Sequence, residues 1–473
     1  MLDKSAENSV LLLFESWAGE QAGEINLLPG SGSYRKYFRV KGPHHQAIGA
    51  YYDSPSENRA FIELGRHFKK HGLNVPEIYA VGTDMKTYLQ EDLGNIVLFD
   101  HITKIREKEG FGQKLVGIYK SVIDELIRFQ MVAGVSVDYS VCWPAAEFDR
   151  QAYLWDLNYF KYNFLKLAKI PFDEYRLEQD FRKIAEGLLS SDNSWFVYRD
   201  FQARNIMLHN QKMYFIDFQG GRKGPVYYDL VSLLFQARAR VPFEIRETLI
   251  GYYIRQAGKI NLKSVQDFRP YFYKFALIRI LQTLGAYGFR GLYEKKGHFL
   301  ESIPLAIENV KWLLGNQKIT TEIPELKNCL NEIINMNETK KFNLPPLKLQ
   351  VNSFSYKRGI PVDLSGNGGG FVFDCRALPN PGRLEEYRKL TGMDKKVIDY
   401  LQQYEEVDAF VDQAYNLVAQ SVKVYSGRNF TNLMINFGCT GGQHRSVYCA
   451  EKLAAKLKGF PNIDVEVRHR EQE

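Results

Sequence analysis

Mixed α/β structure in two successive domains is what this 473-residue sequence predicts, on three observations. A strand-rich stretch at 24–92 gives way to runs at 113–134, 150–190 and from 229 to about 314 whose apolar residues recur at 3.6-residue spacing. The segment K-K-F-N-L-P-P-L-K at 340–348 then ends the helical pattern, since Pro345-Pro346 cannot continue a helix. Beyond it, strand-like runs (351–356, 370–374, 432–437, 464–469) alternate with helical ones (395–404, 407–425, 446–457), an α/β order. The expected domains are 1–336 and 351–473, with 337–350 as linker.

Composition narrows the class. The length exceeds one ordinary core, and 45% hydrophobic content excludes a disordered chain. No apolar run is long enough for a membrane span, and Val10–Phe14 is too short for a signal-peptide core. Five cysteines without metal-ligand spacing point to a reducing cytoplasm and away from zinc. The net charge of +7 is spread thinly, with no basic stripe interleaved with aromatics. That argues against a nucleic-acid partner and suits a small anionic substrate.

The chemistry concentrates in Y-R-D-F-Q-A-R-N-I-M-L at 198–208 and F-I-D-F-Q at 215–219. Two short apolar strands present Asp200, Asn205 and Asp217 at their ends, the order that kinase-type phosphoryl transfer requires. Asp200 is the candidate base for an attacking hydroxyl, with Asn205 and Asp217 as ligands of Mg2+ on ATP. A hairpin whose Asp and Asn only cap turns is the plainer reading, and the second strand-borne acid tells against it. Upstream, L-P-G-S-G-S-Y-R-K at 28–36 supplies Gly30, Ser31, Gly32 and Ser33 for close approach to phosphates, with Arg35 and Lys36 adding charge. A helix is expected around Ser56–His71. Gln90 and Glu91 stand where an interlobe hinge would meet adenine, although an ordinary strand-to-turn transition fits them equally. A β-rich lobe, then a helical lobe with the catalytic loop between them, is a bilobal, protein-kinase-like plan.

Further motifs are N-V-P-E-I-Y-A (74–80), Q-E-D-L-G (90–94), G-P-V-Y-Y-D-L-V-S-L-L (224–234) and G-A-Y-G-F-R-G (285–291). With them, the first domain resembles the aminoglycoside phosphotransferase and choline kinase superfamily, most of all its anomeric kinases of N-acetylmuramate and N-acetylglucosamine, the AmgK type. The resemblance implies ATP, Mg2+ and an amino-sugar acceptor, with Asp200 as base, Asn205 and Asp217 as metal ligands, and Asp229 as a structural acid bracing the catalytic loop. Three departures stand out. The strand A-I-G-A-Y-Y-D (47–53) lacks the usual phosphate-binding lysine, Tyr198 replaces a histidine, and Gly220-Gly221-Arg222 follows I-D-F-Q.

In the second domain, G-C-T-G-G-Q-H-R-S at 438–446 links a strand to a helix N-terminus, a phosphate-site pattern. Cys439, Thr440, Gly441, Gly442, His444, Arg445 and Ser446 are its candidate residues. With S-F-S-Y-K-R-G-I-P (353–361), F-D-C-R (373–376), L-P-N-P (378–381), L-T-G-M-D (390–394) and V-R-H-R (467–470), the domain resembles the C-terminal domain of RapZ. That resemblance implies a hexosamine phosphate ligand held by Thr440, Gly441, Gly442 and Arg445. Arg358 stands in place of a histidine, Gln443 in place of a basic residue, and R-E-Q-E in place of a basic tail. Other readings remain open: an RNA adapter, an ATP-binding pseudokinase, and a C-x5-R phosphatase with Cys439 as nucleophile, for which no general acid is identifiable nearby in sequence.

Overall fold

Phe38 and Val40 point into the core and their neighbours outward, which makes Lys36–Lys41 a half-buried strand. In the computed structural model, which describes residues 4–29, 35–316, 318–319, 321–339, 346–363, 369–428, 430–460 and 463–472, this strand belongs to a five-stranded antiparallel sheet. Its strands are β1 (Glu24–Leu27), β2 (Lys36–Lys41), β3 (Gln46–Tyr51), β4 (Ile78–Val81) and β5 (Thr87–Gln90), in the order β1-β2-β3-β5-β4. The chain divides into two units, Met1–Glu294 with Ser302–Lys341, and Phe342–Glu473 with Lys295–Glu301.

Two helices cover the sheet of the first unit. Helix α1 (Lys4–Ala18), for which the sequence reading had no helix, buries Ala6, Val10 and Phe14 against Phe38, Val40, Ala47 and Leu89. Full burial of Val10 and Phe14 is worth about 2 kcal/mol each. Helix α2 (Pro55–Lys70) starts with Pro at its first position and stacks Phe61 on Phe218 at 4.6 Å. The run at 150–190 resolves into helices Arg150–Phe160 and Glu174–Leu189, the second capped by Asp173 accepting from the Arg176 N–H. Helices α3 (Tyr227–Leu234) and α4 (Phe268–Tyr287) are largely buried and pack on each other, and the same unit holds the short strands β6 (Trp195–Val197), β7 (Ile206–His209), β8 (Lys212–Phe215) and β9 (Arg222–Gly224). The last helix before the expected linker runs Pro324–Thr339, past 336.

The second unit is a four-stranded parallel sheet in the order β11-β12-β10-β13, from β10 (Leu347–Ser355), β11 (Gly370–Asp374), β12 (Asn432–Cys439) and β13 (Ile463–His469). The first strand opens at Leu347 and not at Val351, because Leu347 and Leu349 alternate with Val351 into the same core. Helices α5 (Glu405–Arg428) and α6 (Arg445–Leu457) supply the crossovers a parallel sheet needs. The expected fold class, a kinase-like α+β unit followed by a smaller α/β unit, is the one observed.

Candidate active site and phosphate loop

Strand pairing brings the catalytic triplet together. Strands β7 and β8 form a hairpin with Ile206 opposite Phe215, and the Ile216 N–H extends the pairing to the Asn205 carbonyl at 3.0 Å. Asn205 Nδ2 therefore donates to Asp217 Oδ2 at 3.1 Å and to the Asp200 carbonyl at 2.9 Å. Arg199 and Asp217 both hold positive φ, 82° and 70°. That strain, on the order of 1–3 kcal/mol each, must be held by surrounding contacts.

Those contacts centre on Asp229, which is fully buried on α3. It accepts from the Tyr198 N–H at 2.8 Å, the Arg199 N–H at 2.9 Å and Gln130 Nε2 at 3.2 Å. Burial pushes its carboxyl up to about 7, and these three donors limit the rise. Tyr198 donates its hydroxyl to the Ile216 carbonyl at 2.6 Å, so the residue that departs from the histidine pattern ties the two catalytic loops together. Tyr198→Phe is expected to cost about 1–2 kcal/mol by chemical denaturation, since a buried carbonyl loses its donor.

Sequence reasoning missed the cations around the candidate base, Asp200. Arg279, buried on α4, donates from Nη2 to Asp200 Oδ1 at 2.9 Å. Arg199 makes a two-pronged pair with Asp156 at 2.6 and 3.0 Å. Burial works to raise the Asp200 carboxyl, but Arg279, Arg204 and Arg199 outweigh it and hold it below the ordinary range. Asp200 is thus ionised and keeps an open face, with 39% of its side chain exposed. The signal was present in A-L-I-R-I-L at 276–281, because an arginine inside an apolar helix is buried only with a partner.

Asp217 is shifted the other way. Burial and then the Asp200 charge raise its carboxyl, and the Gln219 amide, Arg204 and Arg35 offset them only in part. A cation would relieve that repulsion. Asp217 and Asn205 offer hard oxygen donors, and among the described residues no cluster of three or more His, Cys, Asp or Glu side chains fits a metal. One carboxylate and one amide suit Mg2+, which completes its shell with water and phosphate oxygens.

The expected nucleotide residues are less uniformly placed. Gly30, Ser31, Gly32 and Ser33 lie outside the described residues. Arg35 is buried and turned onto Glu57 and Asn58, at 3.1 and 3.2 Å, while Lys36 opens β2 half-buried. Gln90 is buried at the end of β5, and its Oε1 has no hydrogen-bond partner. Glu91 spends its N–H on the Glu77 carbonyl at 2.9 Å, which removes that donor from an adenine edge. Arg39 grips the neighbouring Asp92 at 2.6 and 2.9 Å and fixes the hinge.

In the second unit, β12 ends at Cys439 and α6 begins at Arg445, with the glycine-rich turn between them. Gly442 has φ +67°, and a Cβ there would strike Glu471 and the Ser355 backbone, so only glycine fits. Glu471 accepts from the Ser355 N–H at 3.2 Å and pairs with Arg358 at 3.2 Å, which joins two of the sequence departures. A cavity of about 230 Å³ is lined by Cys439, Thr440, Gly441, His444, Arg445 and, unforeseen, Arg388. His444 Nε2 bonds the Tyr387 carbonyl at 2.8 Å, and Gln443 the carbonyls of Arg388 and Leu390, so the loop holds the cavity's opposite wall.

Arg445 is buried with Nη1 bonded to the Arg376 and Leu378 carbonyls, and its Nε has no partner. Ser446 does not reach the cavity: it is fully buried, 3.2 Å from Cys439 Sγ, which also accepts the Gly442 N–H. No carboxylate lines the cavity, so its lining supplies no Asp or Glu as general acid for C-x5-R hydrolysis.

Asp200, Asn205 and Asp217 flanking one hairpin, in a unit with an antiparallel sheet and a helical part, are the arrangement expected of a phosphotransferase. The chain belongs to the Phosphotransferase enzyme family, which matches residues 25–268, and residues 347–473 match the RapZ C-terminal domain. A nucleotide-binding protein of Paraburkholderia xenovorans is 45% identical over 125 residues, 26% of this chain and 40% of that protein. One of Macrococcus caseolyticus is 39% identical over 123 residues, 26% of this chain and 39% of that protein. The chain therefore spans about two fifths of the length of these relatives. Among solved structures, the ADP-bound aminoglycoside phosphotransferase APH(2'')-Ib aligns over 70% of this chain and 97% of its own, at 15% identity and TM-score 0.43. Plasmodium vivax ethanolamine kinase aligns over 63% and 84%, at 12% identity and TM-score 0.47. No helix among the described residues is long and apolar enough to cross a membrane.

Proposed function

We propose that the chain is an ATP- and Mg2+-dependent sugar kinase acting in the cytoplasm on an N-acetylated amino sugar, at its anomeric hydroxyl. Asp200 orients and deprotonates that hydroxyl, while Asn205 and Asp217 would hold Mg2+, which neutralises charge on the nucleotide phosphates. The observation that carries the substrate class is the charge at the base. Arg279 donates to Asp200 at 2.9 Å and Arg204 adds positive charge nearby, which favours a neutral or anionic sugar over an ammonium-bearing acceptor. ATP consumption with N-acetylglucosamine, N-acetylmuramate and choline tests this. Turnover of choline alone, or of none of the three, overturns it.

The second unit, in this reading, binds a hexosamine phosphate at the loop 438–446. Thr440, Gly441 and the exposed Arg388 line the cavity, and Arg445 keeps an unbonded Nε. Glucosamine-6-phosphate is expected to raise the melting temperature of the full chain, and Arg388→Ala to weaken binding about tenfold, the loss of one charge-assisted hydrogen bond. An equal shift with inorganic phosphate at the same concentration would leave no role for the sugar.

A further inference from the structure

Helix α2 reaches the catalytic site through its first turn. Glu57 in that turn is 8% exposed and accepts from Arg35 Nη2 at 3.1 Å, and the same nitrogen reaches Asn58 Oδ1 at 3.2 Å. Asn58 is fixed in turn by the carbonyls of Tyr52, Met85 and Lys86, and the Arg35 guanidinium lies over the Tyr52 ring at 5.2 Å. This end of the helix is therefore tied to the sheet by an arginine that solvent does not reach.

The same helix packs on the segment that follows β8. Gln219 donates from Nε2 to Asp217 Oδ1 at 2.8 Å. Phe218, between these residues in sequence, is gripped by Phe61 and Phe68 of the same helix at 4.6 and 5.5 Å. Contacts thus run from Arg35 to Glu57 and through helix α2 to Phe218, and Gln219 beside it holds Asp217, which Asn205 also meets.

Bilobal kinases tether this helix with a strand lysine paired to a helix glutamate, and β3 has no lysine. We propose that Glu57 and Gln219 are positioning residues that set the Asp217 carboxylate for the metal-bound nucleotide, and that Arg35 is the tether that keeps Glu57 in place. On this assignment Arg35 takes over the lysine's hold on the helix from a different strand, and does not touch phosphate. The inference rests on the kinase reading above.

Titration calorimetry of the full chain with ADP, with and without Mg2+, tests it alongside thermal melting of the ligand-free protein. In Glu57→Gln and in Gln219→Ala, Mg2+-free ADP affinity is expected to stay at the wild-type value. The gain in affinity that Mg2+ adds should fall about tenfold in each, the usual scale for residues behind a metal ligand. The double variant should fall no further than the weaker single one, because both act through one line of contacts. Arg35→Met should match Glu57→Gln, and Arg35→Lys should restore most of the gain. An unchanged Mg2+ gain in both single variants, or additive losses, overturns the proposal. So does a loss of Mg2+-free affinity in Arg35→Met, which would put Arg35 on the phosphates. Should Glu57→Gln fail to melt cooperatively, Gln219→Ala, at a half-buried position, decides alone. A wild-type chain whose ADP binding does not respond to Mg2+ overturns the kinase reading, and this inference with it.

Discussion

Asp200→Asn is expected to lower kcat by about 10²- to 10⁴-fold, the range for loss of a general base, with ADP affinity unchanged. The asparagine keeps the shape beside Asn205 but cannot take the acceptor's proton. It also leaves Arg279, buried on α4, without its counter-charge. Steady-state kinetics with the amino-sugar acceptor and ADP calorimetry check both halves. Equal turnover in the variant would remove Asp200 from the chemistry. A lost affinity for ADP would instead make it part of the nucleotide site.

Asp229→Ala carries the largest expected cost in stability. Two backbone N–H groups, of Tyr198 and Arg199, lose their acceptor in a fully buried position. Each orphaned donor costs about 1–3 kcal/mol, so a loss of about 2–6 kcal/mol is expected before any effect on catalysis. The same N–H bonds hold Arg199 at its positive φ, so activity should fall even where the fold survives. Denaturation monitored at the tryptophans, compared with kcat under folding conditions, separates the two. A variant of native stability would show that water or a neighbour replaces the carboxylate.

What the sequence made legible follows from the range of each interaction. Asp200, Asn205 and Asp217 flank one hairpin, so local spacing was enough to bring them together. The strands of the second unit were legible for the same reason, as short apolar runs between turn residues. Arg279 meets Asp200 across 79 positions and Arg199 meets Asp156 across 43, and no periodic pattern encodes such pairs. Arg35 marks the middle ground: its charge was visible, but the burial that turns it onto Glu57 depends on a helix packing over the sheet. Helix α1 escaped notice because its core contacts, Val10 and Phe14, look like a short apolar run until the sheet beneath them is known.

The contact of Glu471 with Ser355, Arg358 and the space beside Gly442 has a consequence for exchanging parts between relatives. A loop 438–446 grafted from another protein brings its own backbone but not the carboxylate packed under it. Residues 358 and 471 must travel with that loop as one inherited unit. A histidine at 358 with Glu471 retained would leave the acid half-matched beneath the turn, and among homologues these two positions should change together.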